Sequence, residues 1–265
     1  MYDFVVMAIA KNEDLYLSEW IAFHLAVGAQ HIFLYDNEST IPISQSMKKY
    51  VDAGWLTVID YPGKGLQMPS YTHFINEYGH LTKWAAVVDC DEMLFPKQHD
   101  DISSVLEKFD NNSYGGLCIN WKIFGSNNHI QKPEGLTIEA FTMGSTKEQA
   151  ANKHIKTILQ PARTLKAWRD PHSFVYKPPY FAVNEHHQYV NGPFNKDISW
   201  DLLQINHYVV RSFDEYQVKL LRGRADTNDP KKPGRRIEEW DGFHTFPEED
   251  KSALRFLEKT KALLL

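Results

Sequence analysis

Cysteine is scarce in this chain of 265 residues: there are two, Cys90 and Cys118, both inside apolar, strand-like runs. Two thiols do not make a disulfide framework or a cysteine-rich metal site. Buried free thiols in a reducing compartment are expected instead. Long apolar runs are absent as well. None approaches the roughly 20 residues that a membrane-spanning helix requires. The opening residues 1–10 carry no basic stretch before their apolar run and soon meet Lys11-Asn-Glu-Asp14, so no secretory leader is expected and the expected location is cytoplasmic.

A basic excess is also missing. The formal net charge is -5, from 29 Lys and Arg against 34 Asp and Glu. A duplex-binding surface normally shows the opposite balance, so no nucleic-acid partner is expected. One local basic run does exist, with Lys219, Arg222, Arg224, Lys231, Lys232, Arg235 and Arg236. It reads equally as a solvated loop or as a binding patch. No Gly-x-Gly-x-x-Gly follows the first apolar run, which argues against a standard dinucleotide site. There is no internal repeat, low-complexity tract or linker.

What is present is a regular alternation. Residues 4–10 are continuously apolar, as in a strand buried on both faces. Residues 15–27 carry apolar positions at helical spacing, with Gly28 as a stop. Strands are expected at 31–35, 55–60, 84–88 and 115–121, with helices at 43–52, 70–80 and near 101–109. This order predicts an α/β fold, a Rossmann-like, mostly parallel sheet with helices on both faces. Beyond about residue 120, shorter strand-like pieces stand at 136–141, 155–160, 173–176 and 202–210. One domain over 1–265 is expected: a nucleotide-binding half to about 120, an acceptor-side half to about 225, then a C-terminal basic loop and helix. Ser252–Leu265 is apolar at helical spacing. It is expected to pack on its own domain, with peripheral membrane contact as the other reading.

Ligands of open α/β sheets bind beyond the carboxyl ends of the strands. The polar clusters after strands one, two and four therefore open onto one rim. Asp89-x-Asp91 follows the fourth strand directly, and paired carboxylates suit a hard divalent cation. A solvated acidic turn is the plainer alternative. Asp36 follows the second strand, where an acid can take a ribose hydroxyl or close an Asp-Asn turn. His207 ends a later apolar run and is able, as a neutral imidazole, to complete a metal site, although a lone histidine in such a run is more often structural. Ser212-x-x-Glu215 matches a capping box opening a helix. On that helix Lys219 and Arg222, three apart, share a face, which reads equally as a diphosphate contact or as a solvated helix face.

The chain carries a series of ordered blocks: Ala10-Lys-Asn-Glu13 with Leu17-Ser-Glu-Trp20 and His24, then Gly28, Tyr35-Asp-Asn37 and Ser39. Gln67, Tyr71, Trp84 and Asp89-Cys-Asp-Glu92 follow. Trp121-Lys-Ile-Phe-Gly-Ser126, Lys156, His172, Asn206-His-Tyr208, Ser212, Lys219 and Arg222-Gly223 complete the set. Taken in order, these blocks resemble glycosyltransferase family 92 and its bacterial relatives among the family-2-like GT-A transferases. The resemblance implies a GT-A fold, a nucleotide-diphosphate sugar donor of the UDP type, a glycan acceptor and transfer with inversion, within surface polysaccharide synthesis. It implies Mn²⁺ or Mg²⁺ on Asp89 and Asp91, with His207 in the metal shell. Lys11, Asn12, Glu13 and Asp36 would line the nucleoside, with Gln67 in the donor set, and Lys219 and Arg222 would face the diphosphate. Trp121, Phe124 and Gly125 would shape the acceptor side. The family usually has an aromatic where Glu92-Met93 follows the aspartate motif here.

One-step inversion needs a base near the acceptor hydroxyl. Asp170 and His172 are the candidates, with Glu92 and Asp201 behind them. Two other readings stay open: a sugar-nucleotide hydrolase or nucleotidyltransferase, and a non-catalytic glycan-binding module.

Overall fold

A computed structural model of the chain describes residues 1–110, 113–222 and 236–265. The basic positions Arg224, Lys231, Lys232 and Arg235, and the Arg222 side chain, lie outside the described residues. The first half runs β1 (Tyr2–Ala10), α1 (Asp14–Ala26), β2 (His31–Asp36), β3 (Leu56–Asp60), α2 (Gln67–Glu77) and β4 (Thr82–Val87). These strands are parallel, in the order β3-β2-β1-β4. Ala10 is in register with Asp36, and Asp36 with Asp60, so their carboxyl ends share one rim.

The apolar run of β1 is explained by its two faces. Phe4, Val6 and Ala8 join one core with Leu17, Trp20 and Ile21 of α1. Val5, Met7 and Ile9 join a second core with Tyr71 and Phe74 of α2. A strand covered on both sides has no solvent face on which to place polar residues. Gly28 ends the α1 turn at φ +103, and a Cβ there would lie 2.8 Å from that of Asp101. Its conformation and its neighbour both require glycine.

The second half adds β5 (Glu92–Pro96), β6 (Tyr114–Ile123), β7 (Ile155–Leu159), β8 (Phe181–Val183), β9 (Tyr189–Val190), β10 (Leu203–His207), α3 (Phe213–Arg222), α4 (Ile237–Phe243) and α5 (Leu257–Ala262). The sheet continues β4-β7-β6-β8-β9, and β10 bridges β6 and β5. Strand β7 runs antiparallel to both β4 and β6, so the later half is mixed.

Three local expectations change. Residues 136–141 form no strand: Thr137–Ala140 is a helical turn, and the buried Glu19 carboxylate accepts from the Thr137 and Ile138 amides at 2.8 and 3.2 Å. That cap satisfies two end amides of the turn. The 43–52 helix is split at Met47 into Ile43–Ser46 and Lys48–Asp52. Strand β5 was hidden because only a short turn separates it from β4. The C-terminal segment packs on its own domain: Ala253, Phe256 and Thr260 are buried, and Phe256 meets Phe23 and Phe95 edge-on at 6.2 Å each. No helix among the described residues is long and apolar enough to cross a membrane.

Candidate active site

Asp89 lies just past β4, on the rim formed by the parallel strands. Its Oδ1 accepts from Gln67 Nε2 at 3.0 Å and from the Tyr71 hydroxyl at 3.4 Å. Its Oδ2 lies 2.9 Å from Lys156 Nζ. Gln67 and Tyr71 are one helical turn apart on α2 and bonded to each other at 2.9 Å, so both reach the same carboxylate. Lys156 comes from β7, which is hydrogen-bonded beside β4.

Glu92 sits behind this pair. It is fully buried, its Oε2 accepts the Asp89 amide at 2.8 Å, and Lys156 Nζ is 3.8 Å away. Burial pushes the Glu92 carboxyl well up, against the pull of Lys156. Burial alone would lower the Lys156 ammonium, but Asp89 and Glu92 outweigh it and hold it charged.

Asp91 points to a different set of partners. Its Oδ2 is ion-paired with Lys219 of α3, and its Oδ1 lies 3.5 Å from His207 Nε2. Lys219 also donates to the Val209 carbonyl at 2.8 Å. The capping box forms as expected, with Ser212 and Glu215 bonded reciprocally, and it aims α3 so that Lys219 reaches Asp91. Burial lowers the His207 pKa, so this imidazole is neutral and able to ligate. Its Nδ1 is buried without a hydrogen-bond partner.

An oxygen and a neutral nitrogen on one point suit a divalent transition cation. Asp91 and His207 fit such an ion, which would compete with Lys219 for the carboxylate. Asp89 does not converge with them. Among the described residues, three ligand atoms gather within 4.8 Å only at Glu185, His186 and Asp201. There both Glu185 oxygens already accept backbone amides of residues 201–203. The exposed His186 joins Asp201 at 3.4 Å.

Trp121, at the end of β6, links the imidazoles. Its ring lies 4.2 Å from that of His207 and 5.1 Å from that of His172. His172 Nδ1 is 2.8 Å from the Ile155 carbonyl. A carbonyl only accepts, so Nδ1 carries the proton and Nε2 is left as the acceptor. Burial, then the charge of Lys156, pushes the His172 pKa down to about 3. Asp170 closes the turn before it: Oδ1 accepts the amides of His172 and Ser173 at 2.9 Å each, and Oδ2 the Ser173 hydroxyl at 2.8 Å.

The donor-side candidates are mostly tied to loop backbone. Asp36 accepts the Ser39 and Ile43 amides at 2.9 and 2.8 Å, the Asp-Asn turn alternative. Asn12 accepts the Thr40 amide at 2.7 Å, Lys11 faces Glu38 at 3.7 Å, and the Glu13 carbonyl accepts the first α1 amides. Of the donor-side candidates, Gln67 meets Asp89 and Lys219 meets Asp91 of the aspartate motif.

Arg211 was not anticipated. It is buried at φ +51, its guanidinium stacks 3.6 Å from the Tyr16 ring centroid, and one Nη donates to the Cys90 carbonyl at 3.3 Å. The sequence signal was an arginine closing the apolar run Val209-Val210.

The model of glycosyltransferase family 92 matches residues 6–255. A family 92 protein of Oryza sativa subsp. japonica is 25% identical over 225 residues, 84% of this chain and 35% of that protein. One from Ricinus communis is 22% identical over 227 residues, 83% of this chain and 38% of that protein. The chain thus spans little more than a third of these relatives. Among solved structures, S. aureus TarS 1–349 in complex with UDP matches with a TM-score of 0.39, at 14% identity over 60% of this chain and 47% of that one. A UDP-glucose pyrophosphorylase complexed with UDP-glucose matches at 0.34, with 10% identity over 61% of this chain and 77% of that one.

Proposed function

The chain belongs to glycosyltransferase family 92, and from that premise we propose that it moves a sugar from a nucleoside-diphosphate donor, UDP by first choice, to a glycan hydroxyl with inversion. The observation that carries this reading is the pair of differently partnered carboxylates, Asp89 on Lys156 and Asp91 on His207 and Lys219, at the rim where α/β sheets bind ligands.

Asp91 and His207 would hold Mn²⁺ or Mg²⁺; bound there, the ion supplies positive charge against a diphosphate leaving group. Asp89, fixed by Gln67, Tyr71 and Lys156, keeps its side chain 31% exposed and accepts a hydroxyl of the donor. Lys219 adds an ammonium beside the diphosphate. His172 Nε2 takes the acceptor proton. The acceptor oxygen then bonds the anomeric carbon as the bond to the diphosphate oxygen breaks, and the diphosphate leaves with the electron pair. Burial first, and then the charge of Lys156, hold the basicity of His172 low; negative charge brought in with the donor would offset the Lys156 part alone. Asp170 is a positioning residue: it holds the turn that presents His172. The setting in surface polysaccharide synthesis belongs to this same reading.

The test is a melting-temperature screen of nucleoside diphosphates with and without Mn²⁺, followed by product analysis. Ligands that bind the folded state alone raise the midpoint. A metal-dependent shift with UDP, lost in Asp91→Ala, is expected, together with sugar transfer to a glycan. Full transfer by the Asp89→Ala, Asp91→Ala double variant without metal would sink the mechanism. Pyrophosphate as product would replace it with nucleotidyl transfer.

A further inference from the structure

A cavity of about 180 Å³ lies between the Thr164–Ala167/Phe174–Tyr176 hairpin and the edge strands β8 and β9. Its walls include Trp168, Tyr176, Tyr180 and Tyr189, with Asn191 and Thr157 among the polar groups. Among the described residues no carboxylate, ammonium, guanidinium or imidazole lines it. An uncharged lining offers no charge to pair with a phosphate, a carboxylate or a metal ion.

The cavity is built into the fold. A Cβ on Gly116 would fall 2.2 Å from the Tyr176 hydroxyl, so glycine there lets the Tyr176 ring lie against β6. The rim is unusual too. Among the described residues, the large aromatics left exposed are Trp168, Tyr189 and Phe194, close together in sequence, and the first two line the cavity. Aromatic faces left in water around a concavity mark a ligand surface rather than a packing fault. Rings that are apolar on the face and carry a hydroxyl or indole N–H at the edge match a ligand with the same duality.

From this geometry we infer that the cavity is a second carbohydrate site, taking one neutral pyranose unit of a glycan. A pyranose offers an apolar C–H face to Trp168 or Tyr189 and hydroxyls to Asn191 and the tyrosines. The volume is below the roughly 300–1,000 Å³ of pockets for drug-sized ligands, so it admits one ring and not a chain. The site is separate from the carboxylate centre. On β7, Lys156 reaches Asp89, while its neighbours Ile155 and Thr157 line the cavity, and successive strand residues face opposite ways. Thr157 and Ser173 of the lining adjoin His172, so a sugar held here would anchor a unit of the glycan beyond the reacting hydroxyl.

The test is saturation-transfer NMR on the full chain with methyl glycosides of neutral hexoses and N-acetylhexosamines at millimolar concentration. At least one glycoside is expected to bind, with affinity falling at least tenfold in Trp168→Ala and in Tyr189→Ala, both exposed and therefore tolerant positions. UDP binding should be unchanged in both. Binding should persist in Asp91→Ala, which separates this site from the transferase reading. No signal with any glycoside, or a signal equal in wild type and both variants, overturns the inference.

Discussion

Lys156 Nζ lies 2.9 Å from Asp89 Oδ2, and the lysine side chain is 1% exposed while the aspartate is 31% exposed. One ammonium thus neutralises a carboxylate that faces the rim and stands 3.8 Å from a second, Glu92, that is fully buried. Removing one member of such a cluster leaves the others uncompensated. Lys156→Met should lower unfolding free energy by about 3–5 kcal/mol, measured by urea denaturation with the m-value unchanged. A loss below about 1 kcal/mol, the scale of a surface pair, would show that Lys156 is not the keystone of the site.

Much of the first half was legible in the sequence, because β1 to β4 alternate with helices whose apolar spacing is set by burial on both sheet faces. Asp89-x-Asp91 was visible for the same reason: it follows an unmistakable strand. Its partners were not. Lys156 and Lys122 each stand in an apolar strand, and a lysine there signals a buried ion pair, but its partner lies far off in sequence. Lys122, for example, meets Glu248 and Asp250 at 2.9 and 2.8 Å. Asp36 shows the opposite limit. An acid after a strand reads equally as a ligand or as a turn, and only the amides of Ser39 and Ile43 decide its contacts. In the later half the strands at 155–160, 173–176 and 202–210 were legible, but their pairings, such as β6 with β7 and β10, are set by tertiary contact and not by local pattern.

Lys219 occupies Asp91, so a divalent cation proposed to bind there would have to compete with it. Lys219→Ala should therefore tighten Mn²⁺ binding, followed by paramagnetic resonance of the free ion, while weakening UDP binding about tenfold through the lost ammonium. Weaker binding of both would mean that Lys219 serves to hold Asp91 in position, and the competition would be wrong.

Arg211 adopts φ +51, a conformation that costs a non-glycine residue about 1 kcal/mol or more. The stack on Tyr16 and the bond to the Cys90 carbonyl offset it. Arg211→Gly relieves the backbone and loses the contacts, whereas Arg211→Ala loses the contacts alone. The alanine variant should be the less stable of the two by about 1 kcal/mol, in calorimetry. Equal stabilities would show that the left-handed conformation relaxes once the side chain is gone.

His24 gives the pH dependence. Its Nδ1 donates to the Trp20 carbonyl at 2.8 Å and its Nε2 accepts the Leu94 amide at 3.4 Å, so the neutral ring is fully used. Burial pushes its pKa down from 6.5 to about 4. The unfolded chain takes up the proton near pH 6.5 while the folded chain refuses it until about pH 4. Between those values the unfolded state binds more protons, so stability falls as the pH falls, and below the folded value the loss is complete. The difference corresponds to about 3 kcal/mol for His24, and His172, pushed down to about 3, adds in the same direction. His24→Asn keeps a donor for Trp20 and cannot titrate. Unfolding free energies from urea titrations between pH 4.5 and 6.5 should show a pH slope shallower by about one proton in that variant, whatever its absolute stability. An unchanged slope would mean that His24 accepts a proton in the folded state, and that the buried ring has a route to water which these contacts do not provide.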